Sequence, residues 1–184
     1  MLKKSFTCLL KIFIIDGVLT KIMKIVKIDN NNLDKAAKLV ADFRVTLRSY
    51  KGIKSQPDLK TGREELVEFL DAGYPLFAVE DNDKFVGYIA CRIDEPCLWV
   101  EHIYVCDEFR RKGAASLLFE KAEVIAQSMG EDTVFNFVHP NNDGMIGFLR
   151  SKGYTVLNMI EIRKPYKGEE LKTTIHVENN SFDY

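Results

Sequence analysis

Residues 101–115 read Glu101-His102-Ile103-Tyr104-Val105-Cys106-Asp107-Glu108-Phe109 and then Arg110-Arg111-Lys112-Gly113-Ala114-Ala115. An apolar strand, a basic glycine-bearing turn and the start of an amphipathic segment follow one another without a gap. The first backbone N–H groups of a helix have no partner within it, and the macrodipole adds about half a positive charge there, so such a junction is suited to an anion. A phosphate or pyrophosphate is the natural guest. Its direct ligands would be the N–H groups of Arg111, Lys112, Gly113, Ala114 and Ala115, with Gly113 allowing close approach and Arg110 adding a third positive charge beside Arg111 and Lys112. Cations that merely solvate an exposed turn are the plainer alternative.

Glu101 is the second group with chemical potential. It stands in the apolar run 98–105, where burial raises a carboxyl pKa and turns the side chain into a proton acceptor. Pairing with a nearby Arg or Lys is the structural alternative. Strand alternation would point His102 away from Glu101, as a satisfied core or surface histidine. Asn136, polar within Phe135-Asn136-Phe137, is a buried amide that needs partners.

The elements that must position these groups follow from periodicity. Ile25, Val26 and Ile28 form a short strand, and the cap residues at 30–32 open a helix through Ala36, Ala37, Leu39, Val40 and Phe43. A second helix covers 62–72. Strands over 76–80 and 85–94 make a hairpin about Asp81-Asn82-Asp83, and a strand over 97–105 precedes the long helix from Gly113. A strand over 133–138, a helix over 142–152 and a long strand over 155–164 complete the order. The step from the Glu101 strand through a helix to 133–138 makes those strands parallel neighbours. The fold class is α+β, a three-layer α/β/α arrangement on a mixed, mostly antiparallel sheet.

Arg110, Gly113 and Ala115 match the pattern Gln/Arg-x-x-Gly-x-Gly/Ala, and Asn142 precedes Phe148-Leu149-Arg150-Ser151-Lys152-Gly153-Tyr154. In this order the two motifs resemble the acyl-CoA signature and the Asn…Phe-Tyr-Glu-Lys-Leu-Gly-Phe segment of the GNAT superfamily of N-acetyltransferases. The resemblance covers about 23–164. It implies acetyl-CoA as cosubstrate, with the pantetheine arm between two splayed parallel strands, bonded to the backbone of Ile103 and Val105, and with Asn142 in the cofactor site. It places Glu101 where many members carry a glutamate, as the base for direct attack of a primary amine on the thioester. Arg48, Ser49, Tyr50 and Lys51 would lie near a small-molecule or peptide amine acceptor. Leu149 stands where the family often has a tyrosine that protonates the departing thiolate, which leaves Tyr104 or Tyr154 as substitute acid, or solvent. An acyl-CoA-binding or sensing protein with little transfer is the alternative that Leu149 suggests.

For a lysine-like acceptor, holding the amine neutral at pH 7 costs about 4.6 kcal/mol, against about 1.4 for an α-amine, so a base matters most in the first case.

Composition narrows the rest. The 184 residues suit one domain, and a net charge of −1 argues against a nucleic-acid binder, which needs a basic face. The four cysteines form no C-x-x-C pair and have no His at zinc spacing, so no metal is expected and the thiols read as reduced, in the cytosol. Residues 1–22 imitate a signal peptide, but Lys11 and Asp16 interrupt the apolar run and no small-residue cleavage site follows, so they read as a dispensable extension or mis-assigned start, with a degenerate export or anchoring segment as the alternative. They are too short and charged for a membrane span. Residues 165–184 form a charged tail, in which 173–177 could add an edge strand able to pair two copies of the chain as a homodimer.

Overall fold

Short β-branched runs separated by turn residues build the sheet, and the computed structural model describes residues 23–184 together with two short strands, β1 (Ile14–Ile15) and β2 (Val18–Leu19). β1 and β2 pair antiparallel, and the remainder of 1–22 lies outside the described residues, as does Cys8. The chain divides into two units, 1–146 and 147–184.

In the first unit five strands lie in the order β3 (Lys24–Lys27), β4 (Leu76–Asp81), β5 (Lys84–Asp94), β6 (Cys97–Val105) and β7 (Phe135–Asn136). The first four are antiparallel neighbours, and β7 runs parallel to β6 as the crossover predicts. The β4–β5 reversal uses Asn82 and Asp83 at φ of 53° and 60°. Asn and Asp tolerate this left-handed pair, whose twist matches the strands it joins.

α1 (Leu33–Tyr50) and α2 (Leu59–Asp71) cover one face of the sheet. Leu33, Leu39 and Val40 of α1 and Leu66 of α2 pack with Leu76, Ala78, Tyr88 and Ala90 in one buried cluster. Asp58 caps α2 by accepting from the Thr61 N–H at 3.1 Å. α3 (Ala114–Ser128) covers the other face, where Lys121 sits 4.9 Å from the centre of the Phe77 ring. Phe77 alternates with Leu76 and Ala78, so the layers are helix, sheet, helix. α+β architecture with one parallel pair is therefore what the chain adopts.

A polar network ties α1, α2, β5 and β6 together inside the apolar cluster. Arg44 Nε donates to Glu65 Oε2 at 2.8 Å and its Nη2 to Glu65 Oε1; His102 Nε2 lies 3.3 Å from Glu65 Oε1, and Tyr88 Oη lies 3.1 Å from His102 Nδ1. The spacing of His102 and Glu65 would suit an ion pair, but burial first, and then the Arg44 charge, push the His102 pKa down to about 3. Arg44 already neutralises Glu65. His102 is thus neutral, donating from Nε2 to Glu65 and accepting the Tyr88 hydroxyl proton at Nδ1. Only 6 % of His102 is exposed, so the reading of a satisfied core histidine holds.

The second unit takes in the C-terminal part of α4 (Asp143–Ser151), the stretch after it and a hairpin of β8 (Thr174–Val177) and β9 (Asn180–Asp183). Two expectations change here. Residues 155–164 carry no strand, and Val156, Leu157, Met159 and Ile162 are exposed; a strand exists only where another edge meets its N–H and C=O groups, and alternation alone does not supply one. The tail strand forms, but its partner is β9 within the tail, closed by reciprocal backbone bonds between Thr173 and Tyr184.

Two outcomes are expected. A Cβ on Gly62 would meet Ala37 O at 2.5 Å, backbone against backbone between α1 and α2, so Gly62→Ala should lower the unfolding free energy by about 1–3 kcal/mol in urea denaturation. His102 binds its proton far less readily folded than unfolded, so its contribution is full above the unfolded pKa near 6.5 and is lost as pH falls towards about 3. Between pH 7.5 and 5 the wild type should lose about 2 kcal/mol more than His102→Gln, read from melting curves at both pH values.

Candidate active site

β6 carries the site, and its pairing changes twice along its length. Against β5 the register runs Ala90↔His102 and then Cys91↔Val100, so Glu101 is an extra residue, a bulge. Strict alternation, on which the opposite orientation of His102 relied, is interrupted at that point. Against β7 the pairs are Trp99↔Phe135 and Val100↔Asn136, and nothing beyond. From Glu101 to Val105 the outer edge of β6 therefore has no β7 partner, and the two parallel strands part. This is also why the expected strand over 133–138 shortens to two residues.

Beyond Val105 comes one 3₁₀ turn (Asp107–Phe109), then Arg111 at φ 62° and Gly113 at φ 88° as the N-cap of α3. No side chain caps this helix. The place a Cβ would take on Gly113 has no heavy atom of the described residues within 4 Å beyond its chain neighbours. Ala114 is buried, whereas Arg111 and Lys112 are exposed, and Lys112 Nζ sits 5.2 Å from the Phe109 ring centre. Arg110 turns back instead of outwards: its Nε donates to Val105 O at 3.0 Å, its Nη2 pairs with Asp107 at 2.7 Å, and its guanidinium covers the Tyr104 ring at 5.7 Å. One carbonyl released by the parting of the strands is thereby satisfied.

A cleft of about 340 Å³ opens beside that arginine, lined by Asp42, Val45 and Thr46 of α1, Tyr104 of β6, and Asp107 and Arg110 of the turn. Burial raises the Tyr104 pKa to about 12, so its phenol remains a proton donor. Val105 is buried and pairs with Gly87, where any Cβ would meet Tyr104 O at 2.8 Å; Ile103 pairs with Ile89. Asn142 serves α4: its Oδ1 accepts from Met145 N at 3.0 Å, as an N-cap. Leu149 is buried.

Glu101 is half-buried and bonded by Arg92, whose Nε donates to Oε1 at 2.6 Å while Nη1 reaches Asp94 at 3.0 Å. The bond to Glu101 raises the Arg92 pKa. Apolar surroundings alone do not describe this carboxylate. Sequence reasoning missed Arg92, because register across a bulge is invisible in a pattern of alternation. It also missed a stack of rings at the parting of the strands, Trp99 on Phe135 at 4.9 Å and on Phe137 at 4.6 Å, and a second pair, Tyr50 on His139 at 5.6 Å. Asn136 Nδ2 donates to Val134 O at 3.0 Å, but its Oδ1 is buried and has no hydrogen-bond partner among the described residues. The described residues contain no cluster of His, Cys, Asp and Glu able to hold a metal, and no helix long and apolar enough to cross a membrane. Cys91, Cys97 and Cys106 are free thiols.

A strand that parts from its parallel neighbour and ends in an uncapped, glycine-led helix start is the arrangement that the acyl-CoA resemblance implies. The sequence profile described as the acetyltransferase (GNAT) family matches residues 41–154, and the chain belongs to that family. It is 30% identical over 100 residues to a probable N-acetyltransferase san of Drosophila melanogaster; the match covers 52% of this chain and spans about half, 54%, of that relative. In fold it is similar to the aminoglycoside acetyltransferase AAC(6')-Iy in complex with the bisubstrate analogue CoA-S-monomethyl-acetylneamine, with a TM-score of 0.62, 17% identity, and 78% of this chain and 99% of that one covered. The aminoglycoside 6'-N-acetyltransferase AAC(6')-IG from Acinetobacter haemolyticus gives 0.58, 17%, 79% and 100% for the same measures.

A β-branched side chain at φ 88° is strained, so Gly113→Val should lower stability by about 1–2 kcal/mol, seen as a lower urea midpoint with an unchanged slope.

Proposed function

We propose that the protein is an N-acetyltransferase that moves an acetyl group from acetyl-CoA to a primary amine by direct attack. The parting of β6 from β7 beyond Val100, on the strand that leads to the uncapped helix start at Gly113, is the observation that carries this reading. The diphosphate of the carrier would rest on the N–H groups from Arg111 to Ala115, where the helix start supplies donors and partial positive charge. Its arm would take the bonding edge of Ile103 and Val105 that β7 leaves vacant, and Arg110 would release Val105 O or share it. The Asn136 Oδ1, buried at the last β6–β7 pair with no partner among the described residues, suits an amide N–H of that arm.

Glu101 lies one residue beyond that last pair, at the bulge, which would place its carboxylate near the thioester. It would take the proton from the incoming ammonium, directly or through a water, and Arg92 would fix its orientation. Tyr104, protonated at neutral pH, is the group from which the departing thiolate would draw a proton; a thiolate of pKa near 8.5 also leaves without one. The acceptor is a small amine or the amino group of a peptide, consistent with neighbours whose bound analogue carries an aminoglycoside. Free thiols agree with a cytosolic setting. No partner copy is required by any of these steps.

A second reading, an acyl-CoA-binding or sensing protein with little transfer, is favoured by two observations: Leu149 in place of a tyrosine, and the engagement of Glu101 with Arg92.

Calorimetry with coenzyme A and thiol release with acetyl-CoA and a panel of amines decide between them. Transferase activity predicts binding heat, thiol release with at least one amine, and a drop of about 100-fold in kcat for Glu101→Gln with little change in coenzyme A affinity. Binding without release for every amine, indifferent to Glu101→Gln, would establish the sensor.

A further inference from the structure

The rings of Trp99, Phe135 and Phe137 at the parting of the strands have no part in the reading above, and the guanidinium of Arg92, which there orients Glu101, also covers Trp99. Arg92 follows Tyr88 and Ala90 at two-residue steps on β5, and those two belong to the cluster beneath α1 and α2. Arg92 and its register partner Trp99 therefore lie on the α1/α2 side of the sheet, and the rings stacked on Trp99 lie there with it.

Trp99 is held from several directions. Phe137 stacks nearly parallel to it, at 13°, Phe135 tilts at 32°, and the Arg92 guanidinium covers it at 5.6 Å. Rings locked in this way lose little freedom when a ligand stacks on them. Phe137 nevertheless remains 57% exposed, a large apolar surface in water one residue past the last β6–β7 pair, as Glu101 is on β6. Next along the chain, His139 stacks on Tyr50, and Asn141 Nδ2 donates to Tyr50 O at 3.1 Å, fastening the end of α1 beside it. The carboxylates at this place, Glu101 and Asp94, are both engaged by Arg92. Stacking, not an array of unpaired acids, is the recognition chemistry that remains.

We propose that Trp99, Phe135 and Phe137 form an aromatic shelf that selects an acceptor amine with an aromatic or flat apolar group close to the reacting nitrogen. The proposal rests on the transferase reading and names the acceptor class for that same site. It sets this chain apart from the aminoglycoside acetyltransferases of similar fold.

Trp99 is the only tryptophan of the chain, so its emission reports directly on the shelf. The full-length protein saturated with coenzyme A is titrated with 2-phenylethylamine, ethanolamine and neamine, and thiol release from acetyl-CoA is followed with the same three amines. Saturable change in Trp99 emission with 2-phenylethylamine at concentrations at which the other two give none is expected. Phe137→Ser should raise the KM for 2-phenylethylamine about ten-fold, by more than kcat falls, and Phe137→Tyr should restore it. Since Phe137 lies at the surface, an unchanged melting temperature accompanies that loss. Equal or better use of neamine, absence of any emission change, or a KM indifferent to Phe137→Ser would overturn the shelf. Absence of heat with coenzyme A would instead overturn the transferase reading itself.

Discussion

Parallel pairing between β6 and β7 stops after Val100 and Asn136, and the rest of the site depends on that stop. Backbone donors and acceptors cannot be left without partners inside a protein, so an edge released in mid-sheet must be met by side chains, solvent or a ligand. In this chain the demand is visible atom by atom. Arg110 folds back to Val105 O, and the buried amide oxygen of Asn136 has no hydrogen-bond partner among the described residues. A gap with these vacancies, ending at an uncapped helix start, would suit the amide-bearing, anionic carrier proposed for it.

The opening survives because its walls are held elsewhere. On the α1/α2 side, Arg44, Glu65, His102 and Tyr88 join two helices to two strands through a chain of hydrogen bonds in which each donor has one acceptor. Buried polar networks of this kind are costly unless their groups are partnered, and here both ring nitrogens of the neutral histidine at its centre are. Gly62 lets α1 and α2 approach to backbone contact, and Gly87 does the same for β5 against the end of β6. The strand that carries Glu101 is thereby fixed on one edge while its other edge stays open. The bulge at Glu101 serves the same end, since an extra residue turns a strand out of register at the point where the neighbours part.

The site has two chemical zones. Near the turn it is polar, with Arg110, Asp107, Asp42 and the Tyr104 phenol around a cleft. Near the last β6–β7 pair it is aromatic, with Trp99 between Phe135 and Phe137. Glu101 stands on the strand between them. A carrier with a diphosphate at one end and a thioester at the other, meeting a nitrogen beside an apolar group, matches that succession of surfaces.

Periodicity and turn chemistry were enough to show the α+β order, the hairpin at Asn82-Asp83, the parallel crossover and the glycine-led helix start, because each is a local consequence of neighbouring residues. Arg110 with Gly113 and Ala115, a spacing of a few residues, likewise marked the turn that leads into α3 before any contact was known. Long-range pairing was beyond that reach. Residues 155–164 have the composition of a strand and form none. The partner of Glu101, the neutral state of His102 and the stack on Trp99 were set only when β5, β6 and β7 came into register. A one-residue bulge redirects side chains across strands that lie far apart in sequence, and such a shift leaves no trace in the alternation of apolar and polar residues.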